Sequence, residues 1–143
     1  MRPEKCTFAA DEVKYLGFII SSDGVKTDSD KVKAIQKMAF PNSPKEMVRF
    51  LGAVNFYRDF ISHFSQTASV LYKAAQSKSK FKSFRNNPVV VDAFEKLKKC
   101  LVPAPVLAYP DFSLPFIVQF DASGLALGAV IGHMSKERFR PIM

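Results

Sequence analysis

The chain has 143 residues with 21 basic and 13 acidic side chains, a formal charge of +8, and 48% hydrophobic residues including 14 phenylalanines. That composition excludes a disordered chain, allows one ordinary domain or two small ones, and favours an anionic partner. Cys6 and Cys100 stand far apart and His63 and His133 stand alone, which excludes a zinc-binding spacing and leaves both thiols free in a reducing compartment. No apolar run reaches the roughly 20 residues of a membrane span, and the Met1 end lacks the apolar core of a secretory signal. The expectation is an intracellular chain, in cytoplasm or nucleus, with no membrane partner.

Residues 5–20 read as two short strands around Ala10-Asp11-Glu12, rich in β-branched and aromatic residues from Val13 to Ile20. Ser22-Asp23-Gly24 is a turn, and Val25 ends the hairpin region. Thr27-Asp28-Ser29-Asp30 caps a short helix, Lys31 to Met38, with Val32, Ile35 and Met38 on one face. Pro41 ends it.

The next stretch, Ser43 to Phe64, organises the chain. Ser43 with Glu46 makes a capping box, and Pro44 suits a first helical turn. Phe50, Val54, Tyr57, Ile61 and Phe64 then recur at spacings of four, three, four and three, one apolar stripe along a helix of about five turns. A neighbouring strip carries Val48, Gly52 and Phe56, with Lys45, Arg49 and Asn55 nearby. Mid-helix glycine costs about 1 kcal/mol relative to alanine, so Gly52 either packs against another helix or lets something approach the backbone closely.

Ser65-Gln66-Thr67 caps a third helix, Ala68 to Gln76. From Asp59 to Asp92 no acidic residue intervenes, while Lys73, Lys78, Lys80, Lys82 and Arg85 all fall there; such a run is either a solvated loop or a contact to phosphates. SKSKFKSFRNNP interrupts the pattern and marks a boundary. Val89 to Leu101 reads as a further helix, and four prolines between 103 and 115 mark an extended crossing. Residues 116–120 form a strand, Asp121 to Gly124 a turn, and Leu125 to Gly132 a second strand. The fold class is α+β: a small β-hairpin, a three-helix bundle, a connecting helix and a final hairpin. With nothing to cover that last hairpin, the chain reads as cut.

The motifs KC-x-F, YLGFIIS-x-DGVK, DKVKAI, FLGAVNFYRDFI, AFEKLKKCL, APVLAYPDF and FDASGLALGAVI follow one another in an order that resembles the reverse transcriptase of gypsy-type long-terminal-repeat retrotransposons. The resemblance implies that residues 1–25 end a polymerase palm, 26–80 form a thumb, and 81–143 form a connection and a truncated RNase H-like domain. It implies that Tyr15, Leu16 and Gly17 support the primer terminus. The thumb helix would lie along the minor groove of an RNA–DNA hybrid or duplex DNA, with Gly52 admitting the backbone and Phe56 facing sugars. Asn55 would then meet groove acceptors, and Lys45 and Arg49 phosphates. Asp121 would be a catalytic carboxylate binding Mg2+ in the parent enzyme. His133 stands where the family usually has glutamine, and Phe84 where it usually has tryptophan. The palm motif Tyr-x-Asp-Asp and the other RNase H acids are absent from the sequence, so this chain alone is expected to bind no Mg2+ and to catalyse neither reaction. The rest of the polyprotein is an expected partner. The alternatives are a retained relic that binds a host protein, or an inert remnant.

Overall fold

In the computed structural model, residues 8–77, 81–102, 104–122, 127–135 and 138–142 are described. Tight turns build the first sheet, in which β1 (Glu12–Tyr15), β2 (Phe18–Ser21) and β3 (Gly24–Thr27) pair antiparallel in that order. The reversal falls at Leu16-Gly17, not at Ala10-Asp11-Glu12, and Tyr15 faces Phe18 across it. Leu16 and Gly17 have φ of 48° and 90°, so this two-residue turn is twisted to match its strands. Val25 lies inside the third strand rather than at the end of a hairpin. Residues 1–7, with Cys6 and the start of the expected first strand, lie outside the described residues.

Asp28 caps α1 (Ser29–Gln36), its carboxylate accepting from the backbone of Asp30, and Val32 and Ile35 are buried. Ser43 caps α2 (Pro44–Asn55): its hydroxyl accepts from Glu46 N–H as in a capping box, while the Glu46 carboxylate reaches one residue past the cap and accepts from Asn42 N–H. The long helix does not continue to Phe64. It stops at Asn55, a 3₁₀ turn covers Arg58–Phe60, and His63 adopts a left-handed conformation before α3 (Phe64–Gln76), which therefore starts four residues ahead of Ala68. The apolar stripe survives the break, because Phe50, Val54, Tyr57 and Ile61 are all buried. A 3₁₀ corner keeps the same inward residues while turning the chain so that α3 packs against α2.

After α4 (Phe81–Arg85) comes α5 (Pro88–Cys100), capped by Asn87. Helix α5 lies in the same core as the thumb-like helices. The ring of Phe94 is fully buried, 4.4 Å from Phe50 and 5.1 Å from Phe40, and Lys98 donates to the Met38 carbonyl at 2.9 Å. One hydrophobic cluster runs from Val25 through Leu107.

The extended segment beyond α5 stitches the two sheets together. Val25 and Leu107 exchange backbone hydrogen bonds at 2.8 and 2.9 Å, and Ala108 N–H donates to Pro141. Gly24, at φ 131°, is required here, since a Cβ would collide with the Leu107 carbonyl oxygen. The second sheet contains β4 (Ile117–Ala122), β5 (Leu127–Ser135) and β6 (Arg138–Pro141), again antiparallel in chain order. The final hairpin thus carries a third strand on β5. Asp121 belongs to β4, opposite Gly128, and not to a turn.

Candidate nucleic-acid interface

Helix α2 separates its residues by period. Met47, Phe50, Leu51 and Val54 are buried, whereas Lys45, Val48, Arg49, Gly52, Asn55 and Phe56 form an exposed strip at the complementary spacing. The strip is about 16 Å long at 1.5 Å per residue. A Cβ at Gly52 would meet nothing within 4 Å, so this glycine does not serve helix packing. Lys45 and Arg49 make no ion pair with any described residue. The capping box orients the start of this strip and leaves its basic side chains open to solvent.

The other group of expected contacts, Tyr15, Leu16 and Gly17, sits at the tip of the β1–β2 turn. Tyr15 and Leu16 are 59% and 73% exposed. The fold brings this tip to the C-terminal end of the strip. Phe18 stacks on Phe56 with centroids 4.8 Å apart and meets Tyr57 edge-on at 5.7 Å and Phe60 at 5.9 Å. The Gly17 carbonyl accepts from Tyr57 Oη at 2.9 Å and from Asp28 N–H at 3.1 Å. Burial, and then the nearby Asp28 charge, push the Tyr57 hydroxyl above the usual tyrosine range, which keeps it protonated as a donor. On the strand side, Lys14 reaches Asp30 at 2.7 Å and Asp28 at 3.5 Å, and its hydrogen bond to Asp30 is the main reason its ammonium is held charged.

Phe56 differs in one respect from the expectation of a free aromatic face: the ring is half exposed, and Phe18 covers one side. The sequence pattern reads Phe18 only as a strand residue, Asp28 only as part of a helix cap and Tyr57 only as part of the apolar stripe. Nothing local signals a hydroxyl that bonds a carbonyl 40 positions away. Lys78 and Lys80 of the basic run lie outside the described residues; Lys73, Lys82 and Arg85 are exposed.

His133 was assigned no function by pattern, yet it is 4% exposed. Its Nε2 accepts from Asp111 N–H at 3.0 Å, which leaves Nδ1–H to donate to the Pro115 carbonyl at 3.0 Å. It clasps the crossing segment to β5, a structural role.

Among the described residues no group of three or more His, Cys, Asp or Glu side chains is placed to hold a metal ion. A single carboxylate position does not make a two-ion centre, which needs several acids.

Residues 87–143 match the RNase H-like domain found in reverse transcriptase. The Pol polyprotein of the Drosophila melanogaster transposon gypsy is 39% identical in an alignment that covers 90% of this chain and 13% of that protein. Over nearly its whole length the chain is similar to a segment of gypsy-type retrotransposon Pol polyproteins. The Drosophila transposon opus Pol polyprotein is 37% identical over 97% of the chain, and the Schizosaccharomyces pombe Tf2-3 transposon polyprotein 32% over 96%. The chain spans 15% and 10% of those two Pol proteins. Its fold also matches foamy viral protease-reverse transcriptase. The complex of that enzyme with double-stranded DNA superposes at a TM-score of 0.71, with 26% identity over 92% of this chain and 23% of the viral chain. The complex with an RNA/DNA hybrid gives 0.70, with 25% identity over 97% and 19%. Among the described residues of this Pol segment, no helix is long and apolar enough to cross a membrane.

Proposed function

We propose that this chain forms part of the template–primer cradle of a retrotransposon polymerase and binds duplex nucleic acid without reading its sequence. Residues 1–25 end the palm, 26–80 form the thumb, and 81–143 form the connection and the opening of the RNase H-like domain. Gly52 carries the reading. A glycine in the middle of an exposed helix face, with nothing of its own chain near it, destabilises the helix and is explained by a partner backbone at that point. Around it, Lys45 and Arg49 neutralise phosphates, Asn55 donates to groove acceptors, and Phe56 presents its uncovered side to sugars. Tyr15, Leu16 and Gly17 abut the primer terminus. Such contacts recognise groove shape and backbone. The viral relatives were solved on double-stranded DNA and on an RNA/DNA hybrid, which supports the same ligand class here.

In the parent polyprotein, Asp121 is the first-strand carboxylate of an RNase H centre that uses Mg2+, and the remaining acids come from other parts of that protein. This chain alone catalyses neither polymerisation nor hydrolysis.

The test is the anisotropy of a fluorescent RNA–DNA hybrid titrated with the full chain at rising salt. Each neutralised phosphate contributes about 0.9 to the log–log slope, so Lys45 and Arg49 alone give about 1.8 and roughly a twelve-fold loss over a four-fold rise in salt. Affinity that stays flat, or no binding at low salt, overturns the reading in favour of a protein-interaction relic.

A further inference from the structure

The two halves of the interface belong to different elements, the β1–β2 tip and the exposed strip of α2. A shared duplex would require their separation to be held. The contact that holds it is polar and specific. Gly17 offers one carbonyl, and it accepts from Tyr57 Oη at 2.9 Å, at the end of α2, and from the Asp28 backbone at 3.1 Å, at the start of α1. A side chain in that seat would be strained and tightly crowded. Gly17 has φ 90°, and a Cβ there would lie 3.2 Å from both the Phe56 ring and Tyr57 Oη. The tip itself has no such anchor: Leu16, at φ 48°, is a leucine in a left-handed conformation, with most of its side chain in solvent. A strained, exposed tip persists only where its surroundings over-determine it.

We propose that Tyr57 is a positioning residue whose hydroxyl, clasping the Gly17 carbonyl, sets the Tyr15-Leu16 tip at a fixed height over the α2 strip, so that both engage one duplex at once. This rests on the duplex-binding reading above. Tyr57 is 3% exposed, so it is not on the surface a duplex would meet, and it acts through Gly17. The buried phenol stays protonated because burial and the Asp28 charge both oppose its ionisation, so the clasp holds across the neutral range.

The experiment is a double-mutant cycle on hybrid binding with the full chain. Tyr57→Phe removes the hydroxyl and keeps the ring among Phe18, Phe56 and Phe60. Tyr15→Ala with Leu16→Gly disables the tip without strain, since glycine accepts the left-handed conformation. Tyr57→Phe is expected to weaken binding roughly 3- to 10-fold, the range of one lost hydrogen bond. The salt slope stays as in the wild type, because the basic side chains of α2 remain in place. In the tip-disabled background the same substitution has no further effect. Wild-type affinity in Tyr57→Phe overturns the proposal. So does an equal loss in both backgrounds, or a loss accompanied by a reduced slope, either of which marks a general loosening of the fold. A wild-type chain that binds no hybrid overturns the functional reading itself, and is seen before any variant is made.

Discussion

Gly52 separates stability from binding in a single side chain. Because a Cβ there meets nothing, Gly52→Leu replaces a poor helix former by a good one at no steric cost. Thermal unfolding is expected to show a gain of about 0.5–1 kcal/mol, while hybrid binding is abolished by a side chain standing where the backbone must approach. A loss of stability would mean that the position is packed. Phe56→Ala also weakens binding, but it strips the stack on Phe18 and costs the fold about 1–2 kcal/mol, so its affinity must be read well below the unfolding midpoint. Tyr57 carries a pH signature. Its folded-state hydroxyl titrates above the usual tyrosine value near 10, so the associated stability is complete below that pH. It is lost as pH rises through the folded value, since the unfolded chain ionises first. Comparing unfolding midpoints at pH 8 and in the alkaline range, the wild type is expected to fall further than Tyr57→Phe, and equal falls would remove Tyr57 from the account.

At the scale of elements, periodicity and folding part company after Asn55. The stripe from Phe50 to Phe64 reads as one helix because apolar residues recur at three and four, and a 3₁₀ corner followed by a left-handed His63 buries nearly the same set. No proline or glycine marks the break. What decides it is long-range: Tyr57 is drawn to Gly17 and the Phe18 ring, and α3 must turn to cover α2. The crossing segment is a second such case. Four prolines announced an extended path, but its attachment depends on His133, buried between Asp111 N–H and the Pro115 carbonyl. His133→Ala leaves both groups without their partner and opens a gap beside Phe116. A loss of about 2 kcal/mol is expected, seen as faster hydrogen exchange at Asp111 and along β5. Unchanged exchange would reduce His133 to a filler.

For the molecule as a whole, the decisive contact is between segments that look separable in the sequence. Phe94, Leu97 and Leu101 are buried in the cluster that holds Phe50, Leu51 and Leu71. Phe94→Ala is expected to cost about 3–5 kcal/mol and to lower the unfolding of α2 and α3 along with α5, although Phe94 lies beyond the basic stretch that reads as a boundary. Two transitions, with only the second shifted, would show that the bundle folds without α5. The exposed strip of α2 therefore depends on residues that lie outside it.

The sequence by itself determined the resemblance to gypsy-type Pol proteins, the α+β class, the caps of α1 and α2 and the two faces of α2, whereas Ser65-Gln66-Thr67, read as a cap, lies inside α3. These are written in local spacing: a capping box satisfies nearby N–H groups, and a 3.6-residue period sorts apolar from polar side chains within one element. The motif order also nominates Tyr15, Leu16, Gly17, Lys45, Arg49, Gly52, Asn55 and Phe56 as contacts to a duplex and Asp121 as a metal-binding carboxylate, which is the reading proposed above. Only the tertiary structure decided the reversal at Leu16-Gly17, the break after Asn55, the third strand of each sheet and the union of α5 with the bundle. It alone brought the β1–β2 tip to the end of the strip, through a hydroxyl and a carbonyl 40 residues apart. Contacts at that separation leave no period in the chain, because each partner satisfies its local rule, as a core aromatic or a turn glycine, without the other.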